Sequence, residues 1–140
     1  QMRPAGISQL QVLLDEFPHV PIIIDHFMGT PLENGPPYAE SDVLFGLVKF
    51  PNIYLKLTPV VINHARKGKA TPESFVSRVI SEFGASRIAW GSNYPATAGT
   101  LKGLLQDTQS VLVGASESDL EWIFHKTSES LYPALKSHAK

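Results

Sequence analysis

Residues 20–26 read Val-Pro-Ile-Ile-Ile-Asp-His, a nearly all-apolar run that ends in an acid and an imidazole. A run this short, with Pro18 before it and a Gly- and Pro-rich segment (29–37) after it, predicts a strand buried on both faces, as in a parallel sheet. Working outward, helical and strand patterns alternate. Leu10, Leu13, Leu14 and Phe17 fall at i, i+3, i+4, i+7, so a helix capped at Ser8 and closed by Pro18 is expected upstream. Downstream, Ser41 is placed to cap a helix carrying Val43, Leu44, Leu47 and Val48, which Pro51 ends.

Residues 53–58 (IYLKLT) alternate Ile53, Leu55 and Leu57 against Tyr54, Lys56 and Thr58, which predicts a second strand. Residues 59–70 are expected to form a loop. Thr71 and Pro72 then open a helix with an apolar stripe of Phe75, Val76, Val79, Ile80 and Phe83, and Gly84 fits the position after its end. Residues 87–92 (RIAWGS) read as a third strand. Two helices follow, one through Leu101, Leu104, Leu105, Thr108 and Leu112, the other capped at Ser116 or Ser118 and carrying Leu120, Ile123, Phe124 and Leu131.

Short apolar strands alternating with amphipathic helices indicate parallel βαβ units and an α/β fold class. The chain has 140 residues, against the roughly 250 of a closed (β/α)₈ barrel. It is therefore expected to be an open α/β layer or part of a barrel, in one domain spanning 1–140. No internal repeat, low-complexity tract or dividing linker interrupts it.

With 43% hydrophobic and 18% charged residues, the chain has a globular composition, and its net charge of −1 gives no electrostatic case for nucleic acid or an anionic membrane. No apolar run reaches the 18 or so residues of a membrane span, and residues 1–4 do not read as a signal peptide. A cytoplasmic location is expected. Cysteine is absent from the sequence, so any metal must use imidazole, carboxylate or backbone oxygen.

In parallel α/β folds, active sites gather at the carboxyl ends of strands. That rule selects Asp25-His26, then Lys56-Leu57-Thr58, then the segment from Gly91 to Pro95. Period-two geometry places His26 with Ile24 and Ile22. A neutral imidazole there suits ligation of a divalent metal or polarisation of a carbonyl; the structural alternative is a histidine bonded to backbone at the core edge. Lys56 lies mid-strand. Facing inward it needs an anion, either a side-chain carboxylate or a substrate; facing outward it reaches water. Asn93 follows small residues Ala89 and Gly91, which leave room for a ligand, yet Ser-Asn-Tyr-Pro also spells a simple turn. His64 sits after a strand, where it could line a pocket mouth. His19, His125 and His138 are weaker candidates. No HxH or HExxH spacing, phosphate loop, GxSxG elbow or nucleotide fingerprint is present.

Four segments, in order, resemble the amidohydrolase-2 family. Residues 21–29 (PIIIDHFMG) match its P-hydrophobic-D-H-x-G strand, and residues 52–58 (NIYLKLT) its N-V-Y-x-K-x-S strand. Residues 83–95 (FGASRIAWGSNYP) match F-G-x-x-R-h-h-x-G-S-D-x-P, and 123–133 its closing I-F-x-x-T-A-x-x-L-Y helix. The resemblance implies a (β/α)₈ barrel of which this chain is the C-terminal portion, the N-terminal half with its HxH motif being absent.

The resemblance also implies that His26 ligates the metal, zinc, or polarises the substrate carbonyl. Asn93 stands where the family normally has an Asp that binds metal and activates water. Lys56, Thr58, His64 and Tyr94 are expected around the substrate. An amide is no general base near neutral pH and is a weaker, uncharged ligand. Two readings therefore stand. One is a hydrolase or lyase acting on a small carboxylated, lactone or cyclic substrate. The other is a catalytically inactive relative that binds small acids. Expected partners are that substrate and either a second copy of the chain or the N-terminal half-barrel.

Overall fold

The computed structural model describes residues 4–138. Helix α1 (Ile7–Glu16) leads into strand β1 (Ile22–Asp25), the short helix α2 (Asp42–Phe45) and strand β2 (Ile53–Leu57). Helices α3 (Pro59–Ala65) and α4 (Pro72–Phe83) precede strand β3 (Ile88–Trp90). Helix α5 (Leu101–Val111) follows. Helices α6 (Glu117–Glu121) and α7 (Thr127–Leu131) are joined by one wide π-type turn, Trp122–Lys126. The strands form a parallel sheet in the order β1-β2-β3, with Ile24 opposite Leu55 and Leu55 opposite Ile88.

This register sorts the side chains. Ile22, Ile24, Ile53, Leu55, Leu57, Ile88 and Trp90 share the face under the helices, where Ile53, Leu55, Leu57 and Ile88 are fully buried. Ile23, Asp25, Tyr54, Lys56 and Ala89 share the opposite face. Beneath the helices Phe27, Tyr38 and Phe45 surround Phe75 of α4, with ring centroids 5.1–6.4 Å from it. Buried rings of this kind dominate core energetics, and truncating one to Ala typically costs about 3–5 kcal/mol.

Polar residues of the segments 52–58 and 83–95 pin the amino ends of the strands. Asn52 donates its amide to the Val20 carbonyl at 2.9 Å, while its own carbonyl accepts from Ile22 N–H. Arg87 donates to the carbonyls of Phe83, Val48 and Phe50. Burial lowers its pKa from the usual guanidinium value. Both residues therefore do structural work far from the carboxyl ends.

Several expectations change. Residues 59–70 are not all loop, because Pro59–Ala65 is helical with Val61, Ile62 and Ala65 buried. Proline at the first turn and packing of the β-branched run against α4 and α5 outweigh its strand-like appearance. Ser8 lies inside α1, whose N-cap is Gly6. Ser41 does precede α2, but its hydroxyl donates to the Pro31 carbonyl at 2.9 Å instead of capping. Thr71 and Ser116 cap as expected, the latter in a capping box with Asp119. No described helix is long and apolar enough to cross a membrane.

Candidate functional site

Strand alternation ends at Asp25. His26, Phe27, Met28 and Gly29 all have positive φ (53°, 47°, 62° and 62°), a left-handed turn rarely adopted by residues with a side chain. Each non-glycine residue held this way costs on the order of 1 kcal/mol or more. Phe27 and Met28 are fully buried, so the core holds the turn closed. The result overturns the expected placement of His26 beside Ile24. The reversed backbone brings the imidazole to Thr58, at the end of the neighbouring strand, with Nδ1 2.8 Å from Oγ1. Thr58 is fully buried.

His26 opens onto a cleft of about 460 Å³ lined by Gly29, Val60, Asn63, His64, Lys67 and Thr97. His64 on α3 lies 3.1 Å from the Glu33 carboxylate. Glu33 is held below the usual carboxylate range by its own backbone N–H, then by His64 and the Leu32 N–H. Asn93 has φ 52° and lies beyond the end of β3, in the turn that its sequence spells. Its Nδ2 donates to Thr97 Oγ1 at 2.8 Å and its carbonyl accepts from Thr97 N–H. It thus fixes a cleft-lining residue.

Lys56 faces inward, and the anion it meets is a side chain: Nζ lies 2.8 Å from Asp25 Oδ1, across the register pair joining β1 and β2. Asp25 is pulled below its ordinary pKa chiefly by that hydrogen bond, against some desolvation. Lys56 borders a separate cavity of about 180 Å³ with Ile23, Ala89, Trp90, Ser128 and Tyr132. Gly91 permits this, since a Cβ there would lie 2.7 Å from Lys56 Cε. Tyr94 is 56% exposed and does not line the His26 cleft.

The structure therefore brings His26, Thr58, His64 and, through Thr97, Asn93 together, and sets Lys56 and Tyr94 apart. Sequence reading placed Asn63 and Lys67 only as loop neighbours of His64 and missed Val60, because taking 59–70 as loop hid the helical spacing of Val60, Asn63 and His64. It also missed Glu33 and Asp25 as partners, which only the tertiary fold supplies.

Zinc at a catalytic site takes three protein ligands as a rule. Among the described residues no group of three or more His, Asp or Glu comes together in a way that could hold a metal ion. Asn93 offers a neutral amide already bonded to Thr97. These residues do not fit zinc by themselves; His26 can contribute one imidazole.

The parallel sheet, the helical cover and a site at the carboxyl ends of the strands define a portion of a (β/α)₈ barrel. The chain belongs to the amidohydrolase family, whose model matches residues 1–134. It is 28% identical over 95 residues to an L-fucono-1,5-lactonase of Burkholderia ambifaria, covering 67% of this chain and 33% of that protein. An amidohydrolase of Burkholderia multivorans, crystallised with HEPES, superposes with a TM-score of 0.74 at 16% identity, over 94% of this chain and 50% of that one. A Pseudomonas putida protein provisionally named a 2-pyrone-4,6-dicarboxylic acid hydrolase gives 0.71 at 18% identity, over 94% and 49%. The chain thus spans a third of the lactonase it matches and about half of those solved structures.

Proposed function

We propose that the chain forms the C-terminal portion of a hydrolase barrel that opens the lactone, or a related cyclic ester, of a small acid. The observation that carries this reading is the imidazole of His26, fixed by Thr58 at the carboxyl end of the sheet and facing the cleft. When the Thr58 hydroxyl donates to Nδ1, the proton sits on Nε2, which can donate to a carbonyl oxygen in the cleft. That oxygen gains negative charge as water adds to its carbon, so the hydrogen bond strengthens toward the transition state. The water oxygen bonds to the carbonyl carbon, the ring C–O bond breaks, and the proton that the water gives up ends on the departing ring oxygen, leaving the hydroxy acid. Asn93, a neutral amide, orients Thr97 and the water and does not deprotonate it.

The named relatives support the reading by their chemistry. One is a lactonase, another carries a pyrone hydrolase name, and the Burkholderia multivorans protein also crystallised with zinc. Metal ligands of the HxH kind belong, on this reading, to an N-terminal half-barrel. Saturable hydrolysis of 1,4- or 1,5-lactones by the intact protein, followed with a pH indicator, is the expected result.

Asn93 favours a second reading, in which the cleft binds a small acid without turning over a lactone. That reading predicts saturable acid binding with no lactone hydrolysis and no stoichiometric metal. Measured turnover, or one tightly bound zinc per chain, overturns it.

A further inference from the structure

We propose that Lys67, in the turn that follows α3 at the cleft, holds an anionic group of the ligand, so that the site selects a carboxylated lactone or acid over its uncharged counterpart. The proposal rests on reading the His26 cleft as the ligand site. Val60, Asn63 and His64 follow the spacing of one face of α3, Lys67 lies in the turn just after its C-cap, and all four line the cleft with His26. Their charges are not equivalent. His64 is occupied by Glu33, and neighbouring Arg66 makes a two-pronged pair with Asp107 of α5 at 2.7 and 3.0 Å. That pair raises the pKa of Arg66 and anchors α3 to α5. Lys56, the lysine expected to meet a substrate carboxylate, is already neutralised by Asp25 and borders another cavity.

Lys67 has no carboxylate partner among the described residues, and it is an exposed residue that lines the cleft. The carbonyls that end α3 do not compete for it strongly, because those of Ile62 and His64 accept from the Arg66 and Lys67 backbone N–H groups. An ammonium placed this way attracts a carboxylate, and the Asn63 amide can supply a neutral donor beside it. His26 then meets the carbonyl end of the same molecule and Lys67 its acidic end.

The test is calorimetric titration of the intact protein with glutarate and with the uncharged isostere glutaramide, in wild type, Lys67→Ala and Lys67→Arg. Wild type is expected to bind glutarate at least about tenfold more tightly than glutaramide, in line with a charge-assisted contact. Lys67→Ala loses that preference with an unchanged melting temperature, as expected for an exposed side chain, and Lys67→Arg keeps most of it. Equal glutarate binding by wild type and Lys67→Ala, or equal binding of both probes by wild type, overturns the proposal. Because the readout is binding, Lys67-dependent glutarate affinity in a protein that hydrolyses no lactone sustains the Lys67 contact while defeating the hydrolase reading.

Discussion

Replacing Thr58 by Val probes the link between fold and chemistry at one atom. The two side chains are nearly isosteric, so the fully buried site is refilled while the hydroxyl 2.8 Å from His26 Nδ1 is lost. Loss of one such hydrogen bond costs about 1 kcal/mol of stability, which for a domain of this size lowers Tm by about 3–4 °C. The effect on chemistry is larger than that, because Thr58 also fixes the orientation of the ring in the cleft. Removing the partner that orients a metal-ligating histidine typically costs about 10–100-fold in activity, and an effect of the same order is expected for the orienting contact to His26. Steady-state lactone hydrolysis is therefore expected to show kcat/KM falling by about that factor, mostly in kcat, with Thr58→Ser recovering most of it. A Thr58→Val protein with kcat/KM within twofold of wild type refutes the role given to this pair.

Gly68→Ala brings a Cβ to 2.6 Å from the Glu33 Cα and carbonyl oxygen. It should cost about 1–3 kcal/mol by denaturant unfolding and weaken the Glu33–His64 pair. Gly91→Ala meets only the flexible stem of Lys56, so a small stability loss with a raised Asp25 pKa, followed by carboxyl NMR, is expected. Asp25 has a folded pKa below its unfolded value. Its contribution is complete above the ordinary carboxylate pKa of about 4 and is lost as pH falls through the lower folded value. With both partners about a third exposed, the pair is worth at most about 1 kcal/mol, and Asp25→Asn should flatten the acid limb of the stability–pH curve by that amount. Phe75→Ala, at the centre of the ring cluster, should cost about 3–5 kcal/mol in chemical unfolding.

The fold was legible where local pattern and tertiary context agree. The apolar run at 22–25, the alternation at 53–57 and the stripe from Phe75 to Phe83 each fix an element, and the strand-end rule selects His26 and Thr58. Legibility failed where long-range packing decides. The run Pro-Val-Val-Ile carries strand-like residues but forms α3, which buries Pro59, Val61 and Ile62 and packs against α4 and α5, so the place of Val60 on the cleft went unseen. The face of His26 was misjudged because alternation assumes an extended backbone, while buried Phe27 and Met28 hold a left-handed turn. Lys56 showed that it needed an anion but not which one, since Asp25 reaches it only across the β1–β2 register.

The central claim is that His26 acts on the carbonyl, and His26→Ala tests it most directly, measured as initial-rate lactone hydrolysis alongside far-UV circular dichroism. The account predicts turnover reduced to background with the folded spectrum intact, whereas a folded His26→Ala protein that hydrolyses lactone at the wild-type rate contradicts it.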